Sequence, residues 1–561
     1  MRLQVPPSPS GDVDLCVVGA GPSGLALALE AADAGLTVVL VEAGQASAQP
    51  SATGVDEPPI ATVLHPGSHA PLRETTRSAV GGASWLWGGR CVPFEPVDFE
   101  ARDFIPGSGW PIEQADVVPW QARAAEHLDC GDAQFHVDPA AGFSDDVVST
   151  SQRERWSRRP QLAAHLGSRV LAHPRIFVLT DAVVTGAEYD GDRTGISRLL
   201  VSHGDRVVPV TARTYALACG GLGTTRLLLS LQREHPALFG GPSGALGRYY
   251  MGHLTGSIAT IVLARPDDFG DWGFQRDQDG TFVRRRFTLA QEAQRREGIL
   301  NTSFHLGNLP FHDAGHRSGG LSLVYLALRA PVVGSRLVQR ETRRRNDRPV
   351  AHQLGAHVRN VLRHPARAFA DVAGVAHQRY LASPRRSVFV LRSDAGTYAL
   401  RYHAEQVPQQ DNRVTLNDGT GRDGLPGIDI DFRYSRQDVD SVLRAHDVLD
   451  QQLRSAGYGH LEYHDAVAGR EDSVQAQSMD GYHQIGTVRM SADPGDGVVD
   501  PDCRVHGVRN LYVASSAVFP TAGEANPTFM AVTLAVRLAH HLAGQLRQSA
   551  GRVPMSSSRS R

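Results

Sequence analysis

Three glycines near the N-terminus, Gly19, Gly21 and Gly24, have the spacing G-x-G-x-x-G. In this spacing the first glycine permits a tight turn, the second lets the backbone approach a pyrophosphate, and the third lets a helix pack closely on a strand. Glu42 follows about 20 residues later, where an acidic side chain can accept hydrogen bonds from ribose hydroxyls. Together with Ser23 at the start of the helix, these residues predict a dinucleotide-binding site.

The elements that position this motif can be read from the flanking residues. Residues 13–18 form a short apolar run that is typical of a buried parallel strand. A helical pattern follows and stops at Gly35, and a second apolar run at 36–41 ends in Glu42. The predicted unit is strand, helix, strand, with free N–H groups of the helix N-terminus facing the phosphates.

Two further segments are rich in glycine and predict more of the same site. Residues 81–90 combine dense glycine with two tryptophans, which favours backbone pressed against a flat ligand over a plain flexible loop. At 214–226 a strand runs through Gly220 into a helix, and a strand predicted at 177–184 can cover an adenine with Val184. From the first of these segments we expect four cofactor contacts, at Gly82, Ser84, Trp87 and Gly88.

The C-terminal region predicts the last part of the site. A short strand at 510–514 leads into Ser515, and Pro527 and Thr528 begin a helix, where the missing N–H of proline costs nothing. The positive end of this helix dipole, pointed at a flavin ring, stabilises the anionic reduced form. The helix has an apolar stripe with a period of four residues: Met530, Leu534, Leu538 and Leu542.

In the order and spacing of these segments, the chain resembles the glucose–methanol–choline (GMC) flavoprotein oxidoreductases over about residues 12–542. The matching strings are GAGPSG, GGASWLWGG, LACGGLGTTRLL, GRY with His253, EQVP followed by NRV, and HQIGTVRM through GVVDPDCRVHGVRNLYVASSAVFPTAGEANPT. Within the family it looks similar to the bacterial pyranose-oxidase-like branch and to the sugar dehydrogenases of aminoglycoside biosynthesis. The resemblance implies FAD as the cofactor and oxidation of the CH–OH group of a sugar, glycoside or aminoglycoside by hydride transfer to flavin N5.

The resemblance also assigns the candidate catalytic residues. The histidine before the GT of the C-terminal block is His483, and a neutral imidazole suits a general base because its ordinary pKa is about 6.5. Its partner before the last helix is Asn526, which can hydrogen-bond the substrate oxygen from which His483 takes the proton. Gln406 lies in a loop that lines the substrate side in relatives, and is expected to bind a sugar hydroxyl.

Flavin attachment is a separate expectation. In covalent members of the pyranose-oxidase branch, a histidine in a Ser-Thr-His-Trp string of the glycine loop binds the flavin. The corresponding string here is Ser84-Trp85-Leu86-Trp87. Because leucine has no nucleophile, we expect non-covalent FAD.

The implied architecture is α/β, with a discontinuous Rossmann-like FAD-binding domain and an inserted substrate domain, a sheet covered by helices. The FAD segments are expected at 11–130, 165–260 and 485–545, and the substrate domain mainly at 261–484. The Arg-rich stretch 336–386 is interpreted as a helical insertion with a solvated face. Residues 1–10 and 549–561 are expected to be disordered tails.

Composition sets limits on the other possible functions. The 561 residues are 41% hydrophobic and 21% charged, with a formal net charge of −2, so nothing indicates nucleic acid or a membrane surface as a partner. The N-terminus lacks the apolar core of a signal peptide. No CxxC pair or His cluster has metal-ligand spacing, and the scattered cysteines favour reduced thiols and a cytoplasmic protein.

Several alternatives stay open at this stage. Some relatives use the scaffold as redox-neutral lyases that bind a flavin without turning it over. The substrate can also be a non-sugar alcohol such as a sterol or an alkanol, and a non-catalytic flavin-binding module is a third reading. The electron acceptor, O2 or another, and the oligomeric state cannot be read from these motifs.

Overall fold

The computed structural model describes residues 13–46, 60–329, 353–382 and 389–551. The N-terminal tail predicted at 1–10 lies outside these residues. The C-terminal tail predicted at 549–561 needs correction, because 549–551 continue the last helix, and 552–561 lie outside the described residues. Much of the predicted Arg-rich insertion, at 336–352 and 383–386, is also outside them. The part of that insertion that is described forms two helices, in agreement with the expected helical character.

The strands of the described residues have the following bounds in chain order: β1 Leu15–Val18, β2 Val38–Val41, β3 Ala61–Val63, β4 Arg90–Cys91, β5 Val148–Ser149, β6 Arg153–Trp156, β7 Ile176–Leu179, β8 Ala182–Tyr189, β9 Ile196–His203, β10 Arg206–Val210, β11 Thr214–Leu217, β12 His253–Leu263, β13 Gln275–Arg276, β14 Phe282–Arg285, β15 Phe287–Leu289, β16 Thr302–Gly307, β17 Thr397–Glu405, β18 Arg413–Thr420, β19 Pro426–Asp431, β20 Gly459–Tyr463 and β21 Leu511–Val513. The α-helices are α1 Pro22–Asp33, α2 Leu72–Thr75, α3 Pro96–Phe99, α4 Val118–Leu128, α5 Leu166–Ala172, α6 Gly220–Glu234, α7 Phe269–Trp272, α8 Gln291–Glu297, α9 Gly319–Arg329, α10 Leu354–Arg363, α11 Pro365–Ala376, α12 Arg436–Ser455, α13 Arg470–Gln477 and α14 Pro527–Gly551.

The described residues form two layer systems, each a sheet with the helices packed on it. The sheet of the first layer system has five parallel strands in the order β21-β11-β1-β2-β7. All four residues of β1 are buried, as expected for a central parallel strand covered on both faces. The helices α1 and α14 pack against each other beside this sheet. The stripe predicted on α14 is buried, with Met530, Leu534, Leu538 and Leu542 at most 3% exposed.

One prediction in this region needs correction. The segment 177–184 was expected to be a single strand, but it contains two, because β7 ends at Leu179 and β8 begins at Ala182. Asp181 between them has a φ of 53°, a left-handed conformation that turns the chain. β7 stays in the parallel sheet, whereas β8 belongs to a separate antiparallel sheet with β9 and β10.

The second layer system is a six-stranded sheet with the order β20-β12-β17-β16-β15-β5. The long helix α12 packs on β20, and its apolar face joins a hydrophobic core that is separate from the core around the parallel sheet. That second core draws on residues between Ala140 and Val474. The two systems meet where Met251 pairs with Ile485, immediately before β12 begins at His253.

The third glycine of the N-terminal motif provides a test of the close packing inferred from its spacing. A Cβ added at Gly24 would lie 1.9 Å from the Gly19 carbonyl oxygen and 3.1 Å from the Ala218 Cβ. We therefore expect Gly24→Ala to lower the free energy of unfolding by about 1–3 kcal/mol, as overpacking does. The variant should also contain less bound flavin per protein. Urea denaturation and the flavin absorbance per protein measure both.

Gly544→Ala is the matched control, because Gly544 is in α14 and has no atom within 4 Å of an added Cβ. Alanine there should stabilise the helix by about 0.5–1 kcal/mol. Equal unfolding midpoints and flavin contents for Gly24→Ala and the unmodified protein would contradict the packing argument.

Candidate active site

A long cleft opens at the carboxyl edge of the parallel sheet, where β1, β2, β11 and β21 end. Open α/β sheets bind their ligands at this edge. The cleft is lined by ten of the residues that the sequence predicted as cofactor contacts: Gly19, Gly21, Ser23, Glu42, Gly82, Val184, Gly220, Ser515, Pro527 and Thr528.

The geometry of the N-terminal motif suits a dinucleotide. Among the described residues apart from its chain neighbours, a Cβ added at Gly21 would meet nothing nearer than the Ala218 carbonyl oxygen, at 4.0 Å, so a side chain there would occupy space in the cleft. The cleft can thus accept a pyrophosphate against the start of α1. Glu42 accepts hydrogen bonds from the N–H groups of Ala20 at 2.7 Å and Gly44 at 2.8 Å. Each of its carboxylate oxygens retains a lone pair that can receive a ribose hydroxyl.

Four predicted cofactor residues lie outside the lining of the cleft. Gly24 packs against Gly19 as described above, and the Ser84 hydroxyl donates to the Gly81 carbonyl at 2.6 Å. The Trp87 indole N–H donates to the Pro160 carbonyl, and Gly88 has no atom near an added Cβ. These contacts shape the glycine loop, and a direct cofactor contact at these four positions stays a prediction.

Sequence reasoning missed part of the cleft wall. The segment 75–78, which precedes the glycine loop, lines the cleft, and so do Arg226 and Asp423. Arg226 donates to Asp423 at 2.9 Å and to the Pro426 carbonyl at 2.6 Å. The position of 75–78 next to the loop was a usable signal, but nothing in the sequence pairs Arg226 with Asp423.

The two candidate catalytic residues are brought together from positions far apart in the chain. The Asn526 amide nitrogen lies 2.8 Å from His483 Nε2. His483 has a side chain that is 17% exposed, and its Nδ1 lies 2.9 Å from a carboxylate oxygen of Asp480. The other Asp480 oxygen accepts from the N–H groups of Tyr482 and His483, which holds the loop in a tight turn.

Asp480 and Arg90 also contact His483 and Asn526, although the sequence analysis did not single them out. Asp480 is buried, and although burial alone would raise its pKa, interactions with His483 and His253 hold that pKa well below the usual range. Arg90 follows the glycine loop and donates from Nη1 to the Asn526 amide oxygen at 2.6 Å. Arg90 also pairs with buried Glu154, which Arg284 shares.

Two more histidines adjoin His483 from the six-stranded sheet. His253 Nδ1 lies 3.0 Å from His483 Nδ1, and the ring of His403 lies against that of His253 with centroids 4.3 Å apart. Burial lowers the pKa of both His253 and His403, so both stay neutral. The resemblance had pointed to His253 only as a family motif, and His403 carried no sequence signal because the pairing of β12 with β17 brings it there.

These three histidines offer ring nitrogens within 4.8 Å of one another, which the linear spacing could not show. Their Nδ1 atoms are engaged, because His253 and His483 bond to each other through Nδ1 and His403 Nδ1 bonds to the Glu524 carbonyl. Among the described residues, His253 Nε2 has no partner. We therefore interpret the cluster as a hydrogen-bonded group.

Gln406 occupies a different environment from the expected one. It is fully buried, and its amide oxygen accepts from the Gly252 N–H while its amide nitrogen donates to the Arg433 carbonyl, both at 2.8 Å. Since both ends of the amide bond to backbone, this geometry gives no support to Gln406 as a substrate ligand. Its substrate role stays a prediction.

Two general features of the chain complete the description. All five cysteines are free thiols, as their scattered spacing predicted. Across residues 13–46, 60–329, 353–382 and 389–551, no helix is both long and apolar enough to cross a membrane.

Comparison with known proteins matches two parts of the chain to two family models. An FAD binding domain model matches residues 12–158, and a GMC oxidoreductase model matches residues 408–535. Paromamine 6'-oxidase of Streptomyces fradiae is 22% identical, over 95% of this chain and 92% of its own length. C-glycoside 3-oxidase of Microbacterium trichothecenolyticum is 49% identical over 140 residues, 25% of each chain.

A solved structure has the same fold along almost the whole chain. The structure of a fungal aryl-alcohol oxidase matches with a TM-score of 0.50 at 14% identity, covering 96% of this chain and 99% of the other. This likeness concerns the fold, whereas the two model matches place an FAD-binding region at residues 12–158 and a GMC oxidoreductase region at residues 408–535. Together with the dinucleotide cleft, they identify the chain as an FAD-dependent oxidoreductase.

Proposed function

We propose that this enzyme oxidises a CH–OH group of a polyhydroxylated substrate, a sugar, glycoside or aminoglycoside, with His483 as the general base. The observation that carries the proposal is the contact between His483 Nε2 and the Asn526 amide at 2.8 Å, next to Pro527 and Thr528 of the cofactor cleft. According to their names, two of the relatives compared above oxidise paromamine and a C-glycoside.

The residues divide the chemistry as follows. Bound FAD supplies the hydride acceptor. His483 takes the hydroxyl proton at Nε2, because this nitrogen accepts an N–H from Asn526 and therefore carries no proton. The substrate hydroxyl takes the place of that contact when it donates to Nε2. Asn526 holds the substrate oxygen beside the base, and the N-terminus of α14 places its positive dipole end toward the cofactor cleft. The electron pair of the C–H bond leaves with the hydride while the O–H proton goes to His483, which yields the carbonyl product.

The organisation of the chain supports a two-part assignment, which we also propose. The FAD-binding segments are 11–130, 165–260 and 485–545, and 261–484 mainly form the substrate domain. The two hydrophobic cores follow much of this division. The exceptions are apolar residues of 254–259, which lie in the FAD segment 165–260 but join the second core, as do residues of 140–148 from outside both parts.

Flavin attachment is the first prediction. Leu86 is 44% exposed, lies outside the cleft lining and has no nucleophilic atom, so we expect FAD to be bound without a covalent link. Acid precipitation of the purified protein should release all yellow colour to the supernatant. A pellet that keeps the flavin absorbance after washing would contradict this expectation.

The substrate class is the second prediction. Under anaerobic conditions, we expect C-glycosides, sugars or aminoglycosides to bleach the flavin absorbance faster than sterols or simple alkanols do. Bleaching also excludes a redox-neutral lyase, since a lyase leaves the flavin oxidised. Faster reduction by a sterol or an alkanol than by any sugar derivative would refute the assignment.

The third prediction concerns the two catalytic residues. His483→Ala should bind FAD but reduce it about 10²–10⁴-fold more slowly with substrate, because the general base is lost. Asn526→Ala should slow reduction less, since the base is still present. Anaerobic stopped-flow measurement of the reductive half-reaction provides both rates.

His506→Ala is the matched control for these variants. His506 is in the same C-terminal block, but its ring bonds to the Ser491 carbonyl at 3.0 Å, away from the cleft lining. Its reduction rate should stay near that of the unmodified enzyme. A fully flavinated His483→Ala protein that reduces at the unmodified rate would show that the base lies elsewhere.

A further inference from the structure

The hydrogen bonds that connect Arg90, Asn526, His483 and Asp480 run in one direction, and His253 Nδ1 also lies 3.0 Å from His483 Nδ1. A guanidinium group can only donate, so the Arg90 contact at 2.6 Å makes the Asn526 oxygen an acceptor. The Asn526 amide nitrogen must then face His483 Nε2, at 2.8 Å, and donate to it. Because Nε2 accepts, the ring proton of His483 is on Nδ1, 2.9 Å from an oxygen of Asp480.

From this geometry we infer that Arg90 and Asp480 are positioning residues, which set the orientation of Asn526 and the tautomer of His483. The inference rests on the function proposed above and deepens it. Neither residue touches the reacting carbon; Arg90 acts through Asn526, and Asp480 acts through His483.

The series of hydrogen bonds begins at Arg90 and ends at Asp480, and the chemistry of the two residues between them explains why both ends are charged. An amide can flip and an imidazole can change tautomer, so Asn526 and His483 cannot fix each other's orientation. A guanidinium that only donates and a carboxylate that only accepts remove both freedoms. Asp480 also stabilises the imidazolium that forms when His483 takes the alcohol proton.

The remaining charged and titratable groups around His483 do not duplicate these roles. His253 from β12 and His403 from β17 face the ring, but burial lowers the pKa of each, and both are neutral. Arg90 is the cation that reaches the pair through Asn526. Behind Arg90, Glu154 also pairs with Arg284, so it keeps a partner when Arg90 is replaced.

Two variants test the inference by the pH dependence of flavin reduction. Asp480→Asn should lower the plateau rate by roughly 100-fold or more, as losing a correctly presented base does. Because the imidazolium loses its anionic neighbour, the midpoint of the rate–pH curve should move to lower pH. Arg90→Gln should lower the plateau about tenfold, the cost of about one strong hydrogen bond. Its midpoint should move to higher pH, since a cation near the imidazolium is removed.

The experiment uses the full chain loaded with FAD and the fastest-reducing compound of the panel described above. Arg123→Gln and Asp450→Asn are the matched controls, because Arg123 pairs with Glu30 and Asp450 accepts from the Leu461 N–H, both away from the cleft lining. The controls should keep both plateau and midpoint. An unchanged midpoint in both test variants, whether or not their plateaus fall, would overturn the inference and indicate a merely structural role.

A spectroscopic measurement makes the test independent of substrate. In protein labelled with ¹⁵N-histidine, the signal of His483 is the one that disappears in His483→Ala. We expect it to report a proton on Nδ1 in the unmodified enzyme, and a smaller fraction of that tautomer in Asp480→Asn. A proton on Nε2 in the unmodified enzyme would overturn the inference.

Asp480 also bonds to the backbone N–H of His253 and of Tyr482, so Asp480→Asn can impair folding. In that case Arg90→Gln and Arg90→Lys decide, because lysine restores the cation and should return the midpoint toward its original pH. The failure of the proposed function is recognised separately. If His483→Ala reduces the flavin at the unmodified rate, the assignment of His483 as the base is refuted. If His483→Ala is slow but the Asp480 and Arg90 variants keep the midpoint of the rate–pH curve, only the positioning roles are refuted.

Discussion

The chain of hydrogen bonds from Arg90 through Asn526 and His483 to Asp480 joins parts of the molecule that are far apart in sequence. Arg90 follows the glycine loop, Asn526 precedes α14, and Asp480 and His483 form one tight turn. Asp480 also accepts from the N–H of His253, where the six-stranded sheet begins. The same contacts thus orient the proposed catalytic groups and connect the two layer systems.

Buried ion pairs lie next to this series of hydrogen bonds. Glu154 is fully buried between Arg90 and Arg284, and although burial would raise its pKa, these two cations hold it well below the usual range. Arg286 pairs with Glu524, whose backbone carbonyl holds His403. Removing one partner of such a buried pair typically costs about 3–5 kcal/mol, so the arrangement resists small displacements. A base that must meet both substrate and cofactor needs this rigidity, because misplacement is costly to catalysis.

The cofactor cleft depends on a different constraint, the close approach of backbone to ligand. Gly21 leaves open space beside the Ala218 carbonyl, whereas Gly24 has none, so one glycine admits the ligand and the other joins helix and strand. Glu42 is held by two backbone N–H groups at the end of β2 and faces the cleft. These features follow from the strand–helix–strand unit itself and need no contact with the second layer system.

The sequence by itself determined the parallel strands, the glycine turns, the last helix and the cofactor, because each depends on residues that are close together in the chain. It also pointed to His483 and Asn526 through a long contiguous block that resembles a family. Only the tertiary structure decided what surrounds them, since Arg90, Asp480, His253 and His403 meet through the packing of separate elements. The same reason explains Gln406, whose burial between the Gly252 and Arg433 backbones cannot be read from its loop. Local patterns encode backbone conformation and burial, whereas the hydrogen-bond partners of a buried polar side chain depend on which distant segments reach it.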